Sequence, residues 1–309
     1  MSGAQVIFTD LRGSIHRPAH LLSMDCTHSW ETPASGMALS FPCEEALPQM
    51  HSVRLLSGDK ELFYGLVDKQ TLRRDKGGMR AAFSARGMAA AALDNEAQPR
   101  VYGKVNMSEL FTRHLRPHGF TQLEGGGNTY LRGYTVAKGM SDWEAFSAFC
   151  RMSVSKKPYV KGSSVLLGTP PTKTHTLTEG SGILALEHAL DRYGVLSEIW
   201  LRNQQGLYSS VLSNPQAQAL RVQRRRYLIP DTGWAKLPGA AANERIRASM
   251  LEHSIVKLTL AGLRDIAVGE RAALSDKLVS GHWFVREVRH SISASGLLTG
   301  LVLCDEQYL

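Results

Sequence analysis

The 309-residue sequence predicts a mainly β protein with α+β insertions: two antiparallel β-barrels, one toward each end, and a small helix-containing middle domain. Three observations lead there. Strand-like runs broken by polar glycine turns fill both ends of the chain, whereas helix-start signals cluster between about residues 100 and 155. The terminal hairpins also echo each other. LFYGLVDKQ…GGMRAAFSARG and WFVREVRHS…SGLLTGLVLCDE both run long strand, polar glycine turn, long strand.

Residues 1–98 form the expected first barrel. VRLLSG (53–58) and ELFYGLVD (61–68) lead into the turn RRDKGG, and MRAAFSA (79–85) leaves it, so 61–85 is a long hairpin. The Gly77–Gly78 pair suits a turn that needs positive φ. Gly65, inside the first strand, marks a bulge or a close backbone approach. FSARGMAAAALDNEA (83–97) then closes a strand with Arg86-Gly87 and opens a short alanine helix, thin enough to pack closely on a neighbour.

Residues 99–180 form the expected small α/β domain. NMSE (106–109) is a capping box, with Met107, Leu110, Phe111, His114 and Leu115 at helical spacing behind it and Pro117 and Gly119 to stop the helix. SDWE (141–144) is a second box, and Trp143, Phe146, Phe149 and Cys150 fall on one face after it. Residues 181–235 supply a hairpin, GVLSEIWLRN with LYSSVLSN, and a basic connection, RVQRRRYLIP. Residues 236–309 form the second barrel, entered by a short helix at 243–253. Its strand LLTGLVLC is apolar on both alternating faces, which implies cover on two sides.

Composition is that of an ordinary folded protein, with 43% hydrophobic and 21% charged residues. No apolar run approaches the roughly 20 residues that span a bilayer. The amino terminus has neither a basic start nor an apolar core, so no secretory signal is expected and folding in a cytoplasm is. Cys26, Cys43, Cys150 and Cys304 are far apart without a C-x-x-C pair, which argues for free thiols rather than zinc or disulfides. Net charge is +8, pointing to an acidic partner, with the excess read as spread along the chain.

The search for chemistry yields no catalytic, cofactor or metal set. His114 and His118 have metal-ligand spacing, but Pro117 should end the helix before His118 joins that face. Glu187, His188 and Asp191 would crowd one helical turn as a solvated face. GGGN (125–128) lacks the lysine of a phosphate loop. Arg224, Arg225 and Arg226 with Tyr227 are the best electrostatic candidates; strand alternation would set Arg224 and Arg226 on one face and Arg225 on the other. Trp143 and Trp283 read as core residues.

Several stretches, in order, resemble the baseplate hub proteins of contractile phage tails and related injection machines, the late-control D-type hub family. They are FYGLVD (63–68), SARGMAAAALDNEA (84–97), VAKGMSDWEAFSAFC (136–150), YGVLSEIWLR, RRRY, and GHWFVREVRHSISASGLLTGLVL at the carboxyl end. The resemblance covers roughly residues 30–309. It implies two barrels akin to tail-tube subunits and assembly as a homotrimer, whose six barrels adapt the sixfold tube to the threefold spike around a central channel. It also implies no enzymatic activity and no cofactor. The implied partners are other copies of the chain, a tube or tube-initiator protein, a central spike and other baseplate proteins. DNA enters only as passing cargo and no membrane is involved. The implied location is the virion tail baseplate, assembled in the host cytoplasm. Arg86, Gly87, Arg224, Arg226, Tyr227 and Trp283 are the interface candidates. The rival readings are a cell-wall hydrolase component of the same machine, which needs paired carboxylates or zinc, and a basic nucleic-acid-binding module, which needs steeply salt-dependent binding.

Overall fold

The computed structural model describes residues 4–154, 156–168, 173–229, 238–294 and 296–309. The end of the basic connection, 230–235, lies outside them.

The first lobe contains β1 (Ala4–Asp10), β2 (Ile15–His16), β3 (Ser23–Ser29), β4 (Gly36–Pro42), β5 (Met50–Ser57), β6 (Lys60–Asp75) and β7 (Gly78–Gly87). β6 and β7 are the expected long hairpin, turned through Gly78 at φ +104°. β1, β4 and β7 alternate buried side chains with more exposed ones, and the buried set of the lobe forms one core. Phe8 of β1 meets Phe83 of β7 at 4.5 Å and Phe41 of β4 at 5.8 Å between ring centroids. Strands distant in the hydrogen-bonding order therefore face one another, and the sheet curls around its core.

The middle part begins with α1 (Ala89–Asp94), followed by β8 (Arg100–Asn106), α2 (Met107–Leu110), β9 (Gln122–Gly125), β10 (Tyr130–Val136), α3 (Asp142–Val154), β11 (Pro158–Lys161) and β12 (Ser164–Leu167). Both capping boxes form. The Glu109 amide donates to Asn106 Oδ1 at 2.8 Å while Glu109 Oε2 accepts from the Asn106 amide; Ser141 and Glu144 repeat the exchange. The apolar face of α3 enters a core with Leu110, Leu115 and Phe120. The alanines of α1 let it approach α3 within the same core, so the neighbour the thin helix packs on is the chain's own helix.

The second lobe gathers β13 (Thr174–Thr178) and β14 (Ile183–Leu190) with β18 (Ser254–Ala261), β19 (Arg271–Ser275), β20 (Ser280–Ser293) and β21 (Gly296–Cys304). Between β14 and β18 lie β15 (Glu198–Arg202), β16 (Tyr208–Ser213), α4 (Pro215–Ala219), β17 (Arg225–Leu228) and α5 (Pro238–Leu251). Thus β13 and β14, which precede residue 236, join the last lobe's sheet. Glu187 and His188 consequently lie on a strand and Asp191 just beyond it, not on one helical turn. Pairing with β18 decides this, bringing Glu187 opposite Lys257. In β21, Leu301 and Leu303 enter the core while Val302 stays half-buried on the other face, so the second face is only partly covered.

β3 pairs antiparallel with β20, so both lobes belong to one 13-stranded sheet. The fold is mainly β, with a large antiparallel sheet and few helices. β15, β16 and β17 make a separate three-stranded sheet. One side of it rests on α5 through Ile199, Leu201, Leu228, Ala242 and Ile246.

Candidate functional site

The two lobes and the middle part meet around a cavity of about 310 Å³, whose walls include His28, Phe63, His290, Lys161 and Glu270. Its charged groups are already partnered. Glu270, buried, accepts from Lys161 Nζ at 2.8 Å, pairs with His175 Nε2 at 2.7 Å and accepts the Ala267 amide. Burial raises its pKa, but the lysine, amide and histidine hydrogen bonds outweigh that and hold it below the usual glutamate value. The cluster ties the middle part to the second lobe.

Among the described residues no group of three or more His, Cys, Asp or Glu is placed to hold a metal. His114 and His118 do converge, against expectation. The helix loosens into a π turn at Phe111–Leu115 and a 3₁₀ turn at Arg116–His118, so Pro117 redirects the chain without separating the rings. Both contact one carboxylate, Asp142, at 2.6 and 2.8 Å, and so fasten this turn to α3. All four cysteines are free thiols.

The interface candidates fall in three places. Arg86 spans Asp68 of β6 and Asp94 of α1 with four hydrogen bonds of 2.7–3.1 Å, a clamp within the chain. Gly87 donates its amide to Ser35 O, and an added Cβ would come within 2.3 Å of Ser35 Oγ, so that hydroxyl would have to swing away to admit a side chain. Trp283, 9% exposed, belongs to the core of the second lobe.

Arg224, Arg226 and Tyr227 belong to the three-stranded sheet. Arg224 precedes β17 and lies over the Tyr193 ring at 4.8 Å. β17 runs parallel to β15 in a register that sets Arg225 beside Glu198 and Tyr227 beside Trp200. Arg225, read from alternation as the odd one out, is therefore the arginine on the aromatic face. It stacks over Trp200 at 5.1 Å and pairs with Glu198 at 3.1 Å. Tyr227, 56% exposed, touches Tyr208 edge-on at 4.9 Å. The positive charge is also less diffuse than expected. Residues 192–228 hold Arg192, Arg202, Arg221, Arg224, Arg225 and Arg226 against one acidic residue, Glu198. Sequence reasoning missed Trp200, Tyr208 and Arg202, whose shared face depends on strand register.

Arg225, Trp200, Tyr208 and Tyr227 thus share a basic and aromatic sheet face on a mainly β scaffold. No family model matches the chain, and no curated protein matches it. Solved structures do. A tail protein from Neisseria meningitidis MC58 is similar with a TM-score of 0.78 and 17% identity, over 99% of this chain and 98% of that one. The 43 kDa tail protein of prophage MuSo2 from Shewanella oneidensis gives 0.81 and 12%, over 98% and 100%. A component of the Escherichia coli type VI secretion system gives 0.61 and 9%, over 94% and 75%. The fold of the chain is that of these tail proteins.

Proposed function

We propose that the chain is a structural hub of the baseplate of a phage or phage-like contractile tail. Three copies would form a ring in which each contributes two curled lobes, six in all. The ring would receive the sixfold tube on one face and the threefold spike on the other, with other baseplate proteins around it and DNA passing through the channel. The role is structural rather than enzymatic, exercised in the virion tail baseplate after assembly in the host cytoplasm.

The observation that carries the reading is the pair of lobes, each with its own core, joined by β3 and β20 in one continuous sheet. Such a chain presents two barrel-like units at a fixed spacing, which lets threefold symmetry offer six of them. Similarity to tail proteins over nearly the whole chain supports the same reading.

The test is light scattering and negative-stain electron microscopy of the full chain, alone and with its neighbouring tail proteins. The expected particle has three times the 34.0 kDa chain mass and six lobes around a hole. A particle that stays monomeric in both samples, or a ring of another symmetry, overturns the proposal.

A further inference from the structure

The three-stranded sheet has an edge free of charges and prolines. β16, YSSVLS, is an outer strand without a charge or a proline, and most of its residues are exposed. Outer strands carry a row of unpaired amides and carbonyls, and proteins blunt them with lysine, proline or a bulge when they are not meant to pair. β16 carries a single bulge, at Ser209 between the Leu201–Ser210 and Arg202–Tyr208 pairs, and beyond it Ser210–Ser213 run in unbroken register along β15.

The face beside this edge is built to grip. Trp200, Tyr208 and Tyr227 form a contiguous aromatic group, with Tyr227 and Trp200 rings 6.4 Å apart. Val211, opposite Trp200 and exposed, extends it. Aromatic and arginine side chains are the usual anchors of protein interfaces because they bury much area at low entropic cost. α5 backs the sheet, so the face is a supported platform rather than a loose ribbon.

Charge chooses the occupant. Arg202 and Arg225 flank the aromatic group, Arg224 and Arg226 lie close by in the chain, and Glu198, paired with Arg225, is the single acidic residue of the stretch 192–228. A second copy docking through this sheet would bring like charges together, at a cost. A negatively charged strand would instead pair its backbone with β16 and lay its carboxylates among the arginines.

We infer that the β16 edge and the adjoining Trp200–Tyr208–Tyr227 face bind an acidic extended segment of a different protein by strand addition. The inference deepens the structural role proposed above and rests on it in taking the partner to be a protein of the same assembly.

The test uses the full chain and a short synthetic peptide that alternates glutamate with valine and threonine. Controls are the same peptide N-methylated at alternate residues in each phase, and a single-stranded oligonucleotide of equal charge. Isothermal titration should show binding of the acidic peptide, a loss of at least about tenfold with one N-methylated phase, and weaker binding of the oligonucleotide. The double variant Arg202→Glu/Arg225→Glu, checked for an unchanged melting temperature, should lose the acidic peptide and gain its lysine counterpart. No acidic-peptide binding, binding indifferent to both N-methylated phases, or tighter oligonucleotide binding that the variant abolishes would each overturn the inference. Particle mass is measured on the same samples: peptide binding by a persistent monomer sinks the hub and spares the edge, and a trimer that ignores the peptide does the reverse.

Discussion

His290 of β20 stands edge-on to His28 of β3, ring centroids 6.3 Å apart, at the pairing that joins the two lobes. His290 is 1% exposed and its Nδ1 faces Thr299 Oγ1 at 3.3 Å. His28 has Cys26 Sγ 3.4 Å from Nε2 and Phe63 edge-on at 6.0 Å. Burial pushes both imidazoles down to about 4; the neighbouring ring adds to this for His290, and Asp265 opposes it. At neutral pH this histidine pair is an uncharged contact within a seam that also holds the Arg289–Asp25 ion pair.

Stability should therefore fall in acid. Each folded-state pKa lies below the ordinary histidine value, so between pH 6.5 and 4 the unfolded chain binds more protons than the folded one. The contribution is whole above pH 6.5 and is lost as pH falls toward 4, on the order of 3 kcal/mol for His290 alone. Urea midpoints measured across this range check it. His290→Leu, and more so the double variant with His28→Phe, should flatten the curve there; a slope unchanged by both would refute the seam's part in it.

Gly65 tests the close packing of the first hairpin. It pairs with Gly87, and an added Cβ would meet Arg86 O at 2.5 Å and the Phe63 ring at 2.6 Å. Backbone cannot yield as a flexible side-chain tip does. Gly65→Ala should cost about 1–3 kcal/mol in chemical denaturation. Gly103→Ala is the control, since nothing lies within 4 Å of its added carbon, and it should change stability by no more than about 0.5 kcal/mol. Equal effects at the two sites would show that the approach is not tight.

What sequence could reveal follows the range of the forces involved. The β6–β7 hairpin and both capping boxes were legible because each is decided within a few residues, by a glycine turn or a reciprocal amide–carboxylate exchange. The continuous sheet was not, because nothing local to Ser23–Ser29 announces a partner at Ser280–Ser293. ILALEHAL fits helical and strand periods alike until β18, about seventy residues on, settles it. The aromatic face was hidden for the same reason. Arg225 reaches Trp200 through a parallel register that alternation within RRRY cannot supply. Arg86 was visible as a strand end, but its carboxylates come from β6 and α1, eighteen and eight residues away.

The last prediction concerns how the middle part is held to the second lobe. Glu270 Oε1 accepts from Lys161 across that boundary while His175 and the Ala267 amide both meet Oε2. Lys161 is 39% exposed at its side chain whereas Glu270 is 6%, so the carboxylate bears the desolvation and water screens part of the attraction. Truncating the buried member should hurt more than truncating the exposed one. Glu270→Ala is expected to cost about 2–3 kcal/mol, leaving His175 and the amide without their acceptor, and Lys161→Met about 1 kcal/mol or less. Because the folded carboxyl titrates below its ordinary value, its contribution is present above about pH 4.5 and fades in stronger acid. Denaturation of both single variants and the double variant at neutral pH gives the coupling between the two residues, expected at about 0.5–1 kcal/mol. Strict additivity of the two substitutions would mean that the lysine and glutamate, though 2.8 Å apart, do not fasten the parts together.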